Sequence, residues 1–506
     1  MSGSTPLREK FVDALQRGDL EDVAARIAEG ADVSGDRSYN PLLAALHGRD
    51  ISRDPRLLEL LSLLIRHGAR LDVVSDYQES TLRVLSNIGR FDAVRLLLDA
   101  GADAGQLDWT LLMHAVALGT IEDVEREVAR GALLEETDWW ERTAWLIALA
   151  AGDLQKARLL FDRGANGDAC GRSAKPALFY AIDSHRPEIV RWLLEIGADV
   201  DQADQWGETA LMHAAESADV ACLDVLLAAG ADIDRDVHGT ALNRARDRDV
   251  VLRLLAAGAN PASLSDEGRR AVLGLPPDAD ARLMTASAEE FRRAPTRRPG
   301  TSNPERADEP FWTAMIRSGL TAYAAGEVFG APLSVCGRAP IWSAHRFGQS
   351  LTFLPDGRMV QIGGEHEDYY DPDFCIYNDV FVHETDGSVA IWIYPEDVFA
   401  PTDFHTATLL DDAIYVIGSL GYQGSRGYGT TPVFRLDLST WRMERLAVTG
   451  DGPGWIHGHR ASVEGPRQIA IRDGYVAVQR GEKEVLDQNT STYVLDVERK
   501  QWISEK

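Results

Sequence analysis

The sequence contains little cysteine and no long apolar run. Its 506 residues include only Cys170, Cys222, Cys336 and Cys375, without a CxxC pair or a zinc-finger spacing. We therefore expect free thiols in a reducing compartment. No apolar run approaches the roughly 18 residues of a membrane span, and residues 1–19 have no signal-peptide core. These absences predict a cytoplasmic protein that has no membrane partner.

Positive charge and catalytic motifs are also scarce. The chain has 52 Lys and Arg against 79 Asp and Glu, a formal net charge of −27. Such an excess of negative charge disfavours nucleic acid and favours a basic protein partner. The sequence has no nucleophile elbow, P-loop, dinucleotide fingerprint or HExxH motif. We therefore expect a binding protein and not an enzyme, with no catalytic residues, cofactor or metal assigned.

A repeated Gly-Ala pair dominates the first half of the chain. An apolar segment such as Val225–Leu227 precedes each pair, and a motif such as Thr209–Ala214 lies further upstream. The threonine can cap a helix, small inner side chains allow close helix packing, and glycine suits the left-handed helix end. The pairs begin at Gly30, Gly68, Gly101, Gly131, Gly164, Gly197, Gly230 and Gly258, mostly 33 residues apart.

This pattern resembles the ankyrin repeat, a turn followed by two antiparallel helices. About eight repeats fit within residues 7–260, with an insertion near Asp50–Arg56. Met113 and Met212 occupy the usual motif His position, and a His follows each of them. The resemblance implies an N-terminal all-α solenoid that binds another protein.

The repeat stops after residue 260. Residues 261–310 contain clustered Arg and Pro, which predicts a linker, with one capping helix near Ala279–Phe291. The linker is either a solvated tether or a basic segment that docks on the acidic solenoid. The chain is thus predicted to have several domains, and together with the β segments described next its fold class is multidomain α + β.

Residues 311–506 show short β segments separated by turn residues. Gly363-Gly364 ends one strand, and Phe434–Asp437 is followed by Trp441. These features resemble the kelch repeat, which implies an all-β region of propeller blades, here about 345–402, 403–450 and 455–506. Propellers usually need about four to eight blades. Either residues 311–344 supply the missing strands, or two chains meet, or the array stays open.

Two polar clusters in this region are possible second sites. One is the segment of Glu365, His366, Glu367, Asp368 and Asp371, expected in a loop that binds a cation or faces solvent or a partner. The other is His457 and His459, which with His405 would form either a three-His site or a set of structural residues. The alternative function is that of an enzyme or a metal-binding protein whose site lies on the face of the kelch-like region that carries these residues.

The main predicted site lies on the turns of the solenoid. Trp140 and Trp206 each follow a repeat glycine by nine residues. Tryptophan is a frequent interface anchor, and carboxylates would attract a basic partner. The alternative is that these rings pack between adjacent turns. The predicted partner-binding residues are Trp109, Trp139, Trp140, Trp206, Asp138, Asp201, Asp204 and Glu208.

Overall fold

The computed structural model describes residues 6–47, 54–276, 278–331, 340–368 and 371–504. They form an N-terminal unit, Met1–Ala241, and a C-terminal unit, Leu242–Lys506. The helices of the N-terminal unit are α1 Pro6–Arg17, α2 Leu20–Ala28, α3 Pro41–Ala44, α4 Leu57–Arg66, α5 Thr81–Asn87, α6 Phe91–Asp99, α7 Leu111–Leu118, α8 Ile121–Ala129, α9 Ala144–Ala150, α10 Leu154–Asp162, α11 Ala177–Asp183, α12 Pro187–Glu195, α13 Ala210–Glu216 and α14 Val220–Ala228.

The helices of the N-terminal unit are arranged in successive pairs. The first helices of neighbouring pairs contact each other, as α7, α9 and α11 do, and so do second helices such as α12 and α14. Every side chain of α9 is buried, and three of its seven residues are alanine, which lets helices approach closely. The unit is therefore a stack whose core is continuous from pair to pair.

Local signals in the sequence set the ends of these helices. Thr143 caps α9 by accepting a hydrogen bond from Leu146 N at 3.3 Å, and Thr209 caps α13 in the same way from Met212 N at 3.4 Å. The glycines of the Gly-Ala pairs have φ between 83° and 102°. Both features confirm the predicted helical N-terminal region.

The described part of the C-terminal unit contains six α-helices, the first of which begins at the boundary residue Ala241, and eighteen strands. Its helices are α15 Ala241–Arg244, α16 Arg248–Ala256, α17 Asp266–Val272, α18 Ala288–Arg293, α19 Pro310–Ser318 and α20 Ala322–Phe329. Its strands are β1 Glu305–Ala307, β2 Ser350–Phe353, β3 Met359–Ile362, β4 Glu365–Asp368, β5 Asp371–Ile376, β6 Val380–His383, β7 Val389–Ile393, β8 Thr406–Leu410, β9 Ala413–Ile417, β10 Val433–Asp437, β11 Met443–Arg445, β12 Trp455–His457, β13 Arg460–Gly465, β14 Gln468–Arg472, β15 Tyr475–Arg480, β16 Lys483–Gln488, β17 Tyr493–Asp496 and β18 Gln501–Ser504. None of the helices in the described ranges is long and apolar enough to cross a membrane.

Thirteen of the described strands form three antiparallel sheets, while β12, β15 and β16 form a separate three-stranded sheet and β4 and β5 a hairpin. The strand orders of the three antiparallel sheets are β1-β7-β6-β3-β2, β11-β10-β9-β8 and β13-β14-β17-β18. The first strands β2, β8 and β13 lie next to one another, and apolar cores fill the spaces between successive sheets. This confirms a β-sheet C-terminal region, but the sheets do not close into a ring.

The two ends of the array are covered differently. Phe311 and Trp312 of α19 share an apolar core with Ile391 of the first sheet. On the third sheet, the alternation of β14 places Ile469 and Ile471 toward the second sheet and Gln468 and Arg472 on the opposite face. The described part of residues 311–344 therefore supplies helices and not strands, and the array ends on a partly polar face.

Residues 296–307 differ from the expected solvated tether. β1 pairs with β7 along the edge of the first sheet. The Arg297 guanidinium donates to Glu396 at 2.7 Å and to Asn378 at 3.0 Å. Asn303 exchanges two hydrogen bonds with the backbone of Met443. Arg297, one of the arginines that suggested a linker, is thus held by a carboxylate and an amide of the β-sheet region, and Arg298 pairs with Glu305 of β1.

Candidate interaction surface on the turn tips

The turns between helix pairs end in tight loops that we name the turn tips: 75–80, 138–143, 171–176 and 204–209. In the last of these, one Asp204 carboxylate oxygen accepts hydrogen bonds from Trp206 N at 2.9 Å and Glu208 N at 3.0 Å. Asp138 Oδ1 accepts equivalent bonds from Trp140 N and Arg142 N, both at 2.9 Å. These aspartates fix the conformation of the loops that carry the tryptophans.

Neighbouring turn tips are joined through their backbones. Arg172 N donates to Trp140 O at 2.9 Å, and Gln205 N donates to Ser173 O at 2.9 Å. Trp139 N donates a hydrogen bond to Leu107 O of the preceding repeat at 3.1 Å. The tips from 138 to 209 therefore form a continuous row of fixed spacing.

Trp206 is the most accessible of the predicted tryptophans. Its side chain is 58% exposed. Residues 199–209 contain four carboxylates and no Lys or Arg. The Asp201 carboxylate already accepts one hydrogen bond, from Asp232 N at 2.9 Å. The Trp206 tip thus presents an apolar ring in acidic surroundings.

Tyr77 occupies the same place in its own turn tip, and the sequence analysis missed it. The ring is 87% exposed, and Asp76 beside it is exposed as well. Tyr77 follows Gly68 by nine residues, just as Trp206 follows Gly197. The nine-residue spacing therefore indicated Tyr77 as well, although only tryptophans were predicted as anchors.

Trp139 and Trp140 are partly buried and already have partners. The Trp139 ring lies between the guanidinium groups of Arg83 and Arg172, at 4.3 Å and 4.1 Å from its centroid. Trp140 Nε1 donates to Arg83 O at 2.8 Å. The two indoles also contact each other edge to face. This turn tip matches the alternative interpretation, in which the rings pack between adjacent turns.

Asp138 and Trp109 also have structural contacts. Asp138 is buried and forms an ion pair with the fully buried Arg142, at 2.6 Å between Oδ2 and Nη2. Trp109 packs on Phe91 and His114, and its Nε1 lies 3.4 Å from Asp138 Oδ2. Asp138 therefore contributes to the internal packing of the unit and not to an exposed acidic surface.

The segment of Glu365, His366, Glu367, Asp368 and Asp371 forms the hairpin β4–β5 and not a loop. The side chains of Glu367, Asp368 and Asp371 lie outside the described residues. Glu365 pairs through its backbone with Phe347, and His366 Nδ1 lies 3.1 Å from His345 O.

Two of the three predicted histidines connect neighbouring sheets. His405 Nε2 and Ser350 Oγ are 2.9 Å apart, and His459 Nε2 and Thr406 Oγ1 are also 2.9 Å apart. Burial lowers the pKa of both imidazoles to about 3, and for His459 the nearby His405 and His457 lower it further. Within the described ranges, no group of three His, Cys, Asp or Glu side chains is placed to hold a metal ion. These contacts favour the structural interpretation.

Comparison with known families supports the helical repeats. Residues 112–204 and 196–264 match the family model described as ankyrin repeats (3 copies). Ankyrin repeats generally mediate binding between proteins, and their stacked units build extended binding surfaces. No curated protein matches the chain. The kelch resemblance rests on the strand pattern alone.

Proposed function

We propose that this chain is a non-catalytic binding protein that docks a basic protein partner on the row of turn tips. Tyr77 and Trp206 would be its aromatic anchors, and the carboxylates around Trp206 would attract the partner. The observation that carries this proposal is the exposure of both rings at one position of the repeat. Large apolar rings on a fixed row are the usual anchors of protein interfaces.

Charge supports the basic character of the partner. The whole chain carries −27, and the Trp206 turn tip contains only acidic charged residues. Carboxylates at the rim of an interface accelerate association more than they strengthen the complex. The carboxylates of Asp201, Asp204 and Glu208 surround Trp206 and are the candidates for this role.

The proposal also includes a cytoplasmic location and a kelch-like C-terminal unit. Cys170, Cys222 and Cys375 are free thiols, which supports a cytoplasmic location. The three antiparallel sheets support a kelch-like relationship for the C-terminal unit. In this proposal that unit adds a second module, and binding of the basic partner takes place on the N-terminal unit.

The test compares variants of the full chain as bait for partners from a native lysate. Replacing Tyr77 and Trp206 by Ala should remove the bound partner, since losing an anchor costs about 2 kcal/mol or more. With the purified partner, the double variant should dissociate faster. Neutralising Asp201 and Glu208 should mainly slow association and reduce its salt dependence.

The matched control is Tyr475→Ala in the C-terminal unit. Tyr475 is 48% exposed, so this variant removes a comparable ring from another surface. The proposal expects the control to bind as the parent chain does. If the control loses the partner and the Tyr77 and Trp206 variant keeps it, the C-terminal unit holds the site.

A further inference from the structure

The C-terminal unit contains a cavity of about 950 Å³. It is lined by residues of the first strands β2, β8 and β13, by the turns that precede them, and by the segment 258–269 with the start of α17. Concave cavities of several hundred cubic ångströms are the usual sites of small ligands. The size of this cavity suits a ligand larger than a single ion or water.

Uncharged hydrogen-bonding groups are frequent in the lining. Hydroxyl groups come from Ser263, Ser265, Ser350, Thr406, Thr408 and Ser462. Amides come from Asn243, Asn260 and Gln349. Ser350 and Thr406 each contact one imidazole nitrogen, and a hydroxyl has one donor and two acceptor positions. Ser350 and Thr406 therefore retain hydrogen-bonding capacity.

The arginines of the lining are paired with carboxylates, and Glu267 adds a further negative charge to the lining. Every arginine of the described lining lies within ion-pair distance of a carboxylate: Arg269 with Asp266, Arg346 with Asp379, Arg460 with Asp473, and Arg472 with Glu464. A cavity built to hold an anion would instead present cations whose charge is not compensated. His405 and His459 are neutral at pH 7 because burial lowers their pKa. This pairing of the arginines favours a neutral ligand.

An apolar ring completes the lining. Phe347 is 55% exposed although it belongs to the cavity wall, and Phe404 lies on the next sheet. An accessible phenyl ring can pack against the C–H face of a ligand while hydroxyls and amides bind its polar edge. A sugar has both kinds of surface and carries no charge.

We propose that this cavity binds a neutral carbohydrate of one or two sugar rings, with Phe347 as the stacking surface and the surrounding hydroxyls and amides as hydrogen-bond partners. Hydroxyl groups of a sugar both donate and accept, which matches side chains of the same dual character. The binding is independent of the turn tips, because every residue that lines the cavity belongs to the C-terminal unit.

The test is titration of the full chain with glucose, galactose, maltose and lactose, followed by saturation-transfer NMR and calorimetry. We expect saturable binding of at least one sugar, unchanged in 0.5 M NaCl, since a neutral ligand is not screened. Phe347→Ala should weaken it about tenfold or more, because the apolar stacking surface is lost. Phe347 is exposed, so the variant should keep its circular dichroism spectrum and melting temperature.

The matched control is Phe374→Ala, which removes a ring of 45% exposure on β5, outside the cavity lining. It should bind the sugar as the parent chain does. Absence of a signal from all four sugars would overturn the proposal. Equal weakening by both variants would also overturn it, as would preferential, salt-sensitive binding of citrate or phosphate.

Discussion

Both units of the chain repeat a glycine at a fixed place, but for different physical reasons. Gly164 ends a helix with φ 95°, and a Cβ there would meet nothing within 4 Å. Gly363 ends β3 with φ 60°, and a Cβ there would collide with the carbonyl oxygen of Thr402. In the helical repeats the backbone conformation alone selects glycine. In the sheets, conformation and close backbone approach act together.

This difference explains why one repeat was easier to recognise than the other. A helix end needs only one left-handed residue, and glycine adopts that conformation without strain. Gly418 repeats the close approach of Gly363 in the second sheet, against Ile456 O. Sheet glycines therefore depend on the neighbouring sheet, which the local sequence does not describe.

The largest expected effect comes from glycine substitution in the sheets. Gly363→Ala combines a left-handed alanine, about 1–2 kcal/mol, with a backbone collision, about 1–3 kcal/mol. We expect a total loss of about 3 kcal/mol or more in the free energy of unfolding. Gly164→Ala should lose only the first contribution, about 1 kcal/mol. Urea unfolding followed by circular dichroism measures both, and hydrogen exchange assigns each loss to its unit.

Gly387→Ala is the control for this comparison. Gly387 lies in the turn between β6 and β7 with φ 81°, and a Cβ there would meet nothing within 4 Å. It should resemble Gly164→Ala, although it belongs to the C-terminal unit. If Gly387→Ala is as destabilising as Gly363→Ala, close approach is not the reason for the sheet glycines.

The next largest effect tests the close packing of the helices. Ala214 is fully buried on α13, and Phe at this position would overpack the contact with the neighbouring repeat, which costs about 1–3 kcal/mol. Ala228→Phe on α14 is the matched change at an exposed position and should alter stability little. Thermal unfolding of the two variants distinguishes them. Equal melting temperatures would show that the helices do not stack as described.

Sequence reasoning recovered the helical N-terminal region and the β-sheet character of the C-terminal region because glycines, helix caps and strand alternation are local signals. It did not recognise that Phe404, with φ 46°, takes the place that Gly348 and Gly458 hold in the other sheets. Phe404 N donates to Gly348 O at 2.7 Å and Gly458 N to Phe404 O at 2.8 Å, so contacts between sheets hold this conformation. Nonlocal contacts of this kind are invisible to residue spacing.

The candidate site was predictable to a similar degree. The nine-residue spacing correctly placed Trp140 and Trp206 at equivalent positions. It could not distinguish them, because Arg83 and Arg172, which surround the Trp139–Trp140 pair, come from other repeats. The exposure of a side chain depends on residues from neighbouring repeats. The nine-residue spacing therefore predicts the position of a residue in its turn tip but not whether its side chain is accessible.

The third prediction concerns pH. The two units are expected to lose stability over different pH ranges. The pKa values of His405 and His459 are about 3, below the ordinary value of about 6.5, because burial disfavours the charged imidazole. Their contribution to stability is therefore present above about pH 6.5 and lost as pH falls toward 3. Between pH 7 and 5.5 we expect a loss of about 1 kcal/mol per histidine.

The half-buried carboxylate of Asp183 in the N-terminal unit responds at lower pH. Burial alone would raise the pKa of Asp183, but Lys175 and His213, each 2.6 Å away, hold it well below its usual range. Its contribution is lost only below about pH 4. His114 is partly buried, and burial lowers its pKa too, so a smaller loss is expected there.

Hydrogen exchange at pH 7 and 5.5, corrected for intrinsic rates, should show earlier opening of β2 and β8 than of α9 and α13. His405→Gln and His459→Gln should reduce the difference, because glutamine can keep the hydroxyl bond without titrating. His67→Gln, at an exposed position, is the control and should change nothing. Equal acid sensitivity of both regions in all variants would contradict this assignment.

The smallest expected effect distinguishes the two tryptophan turn tips from each other. Trp206→Ala should change the free energy of unfolding by less than about 0.5 kcal/mol, because the ring is largely exposed and surface substitutions are nearly neutral. Trp139→Ala should lose about 1–2 kcal/mol, since its ring contacts two guanidinium groups, each contact worth about 0.5–1 kcal/mol. Thermal and urea unfolding of both variants measures this difference. If Trp206→Ala proves the more destabilising, the ring of Trp206 supports the fold, and its exposure is not evidence for a partner. If the order is as expected, loss of partner binding by Trp206→Ala can be attributed to a lost contact and not to unfolding.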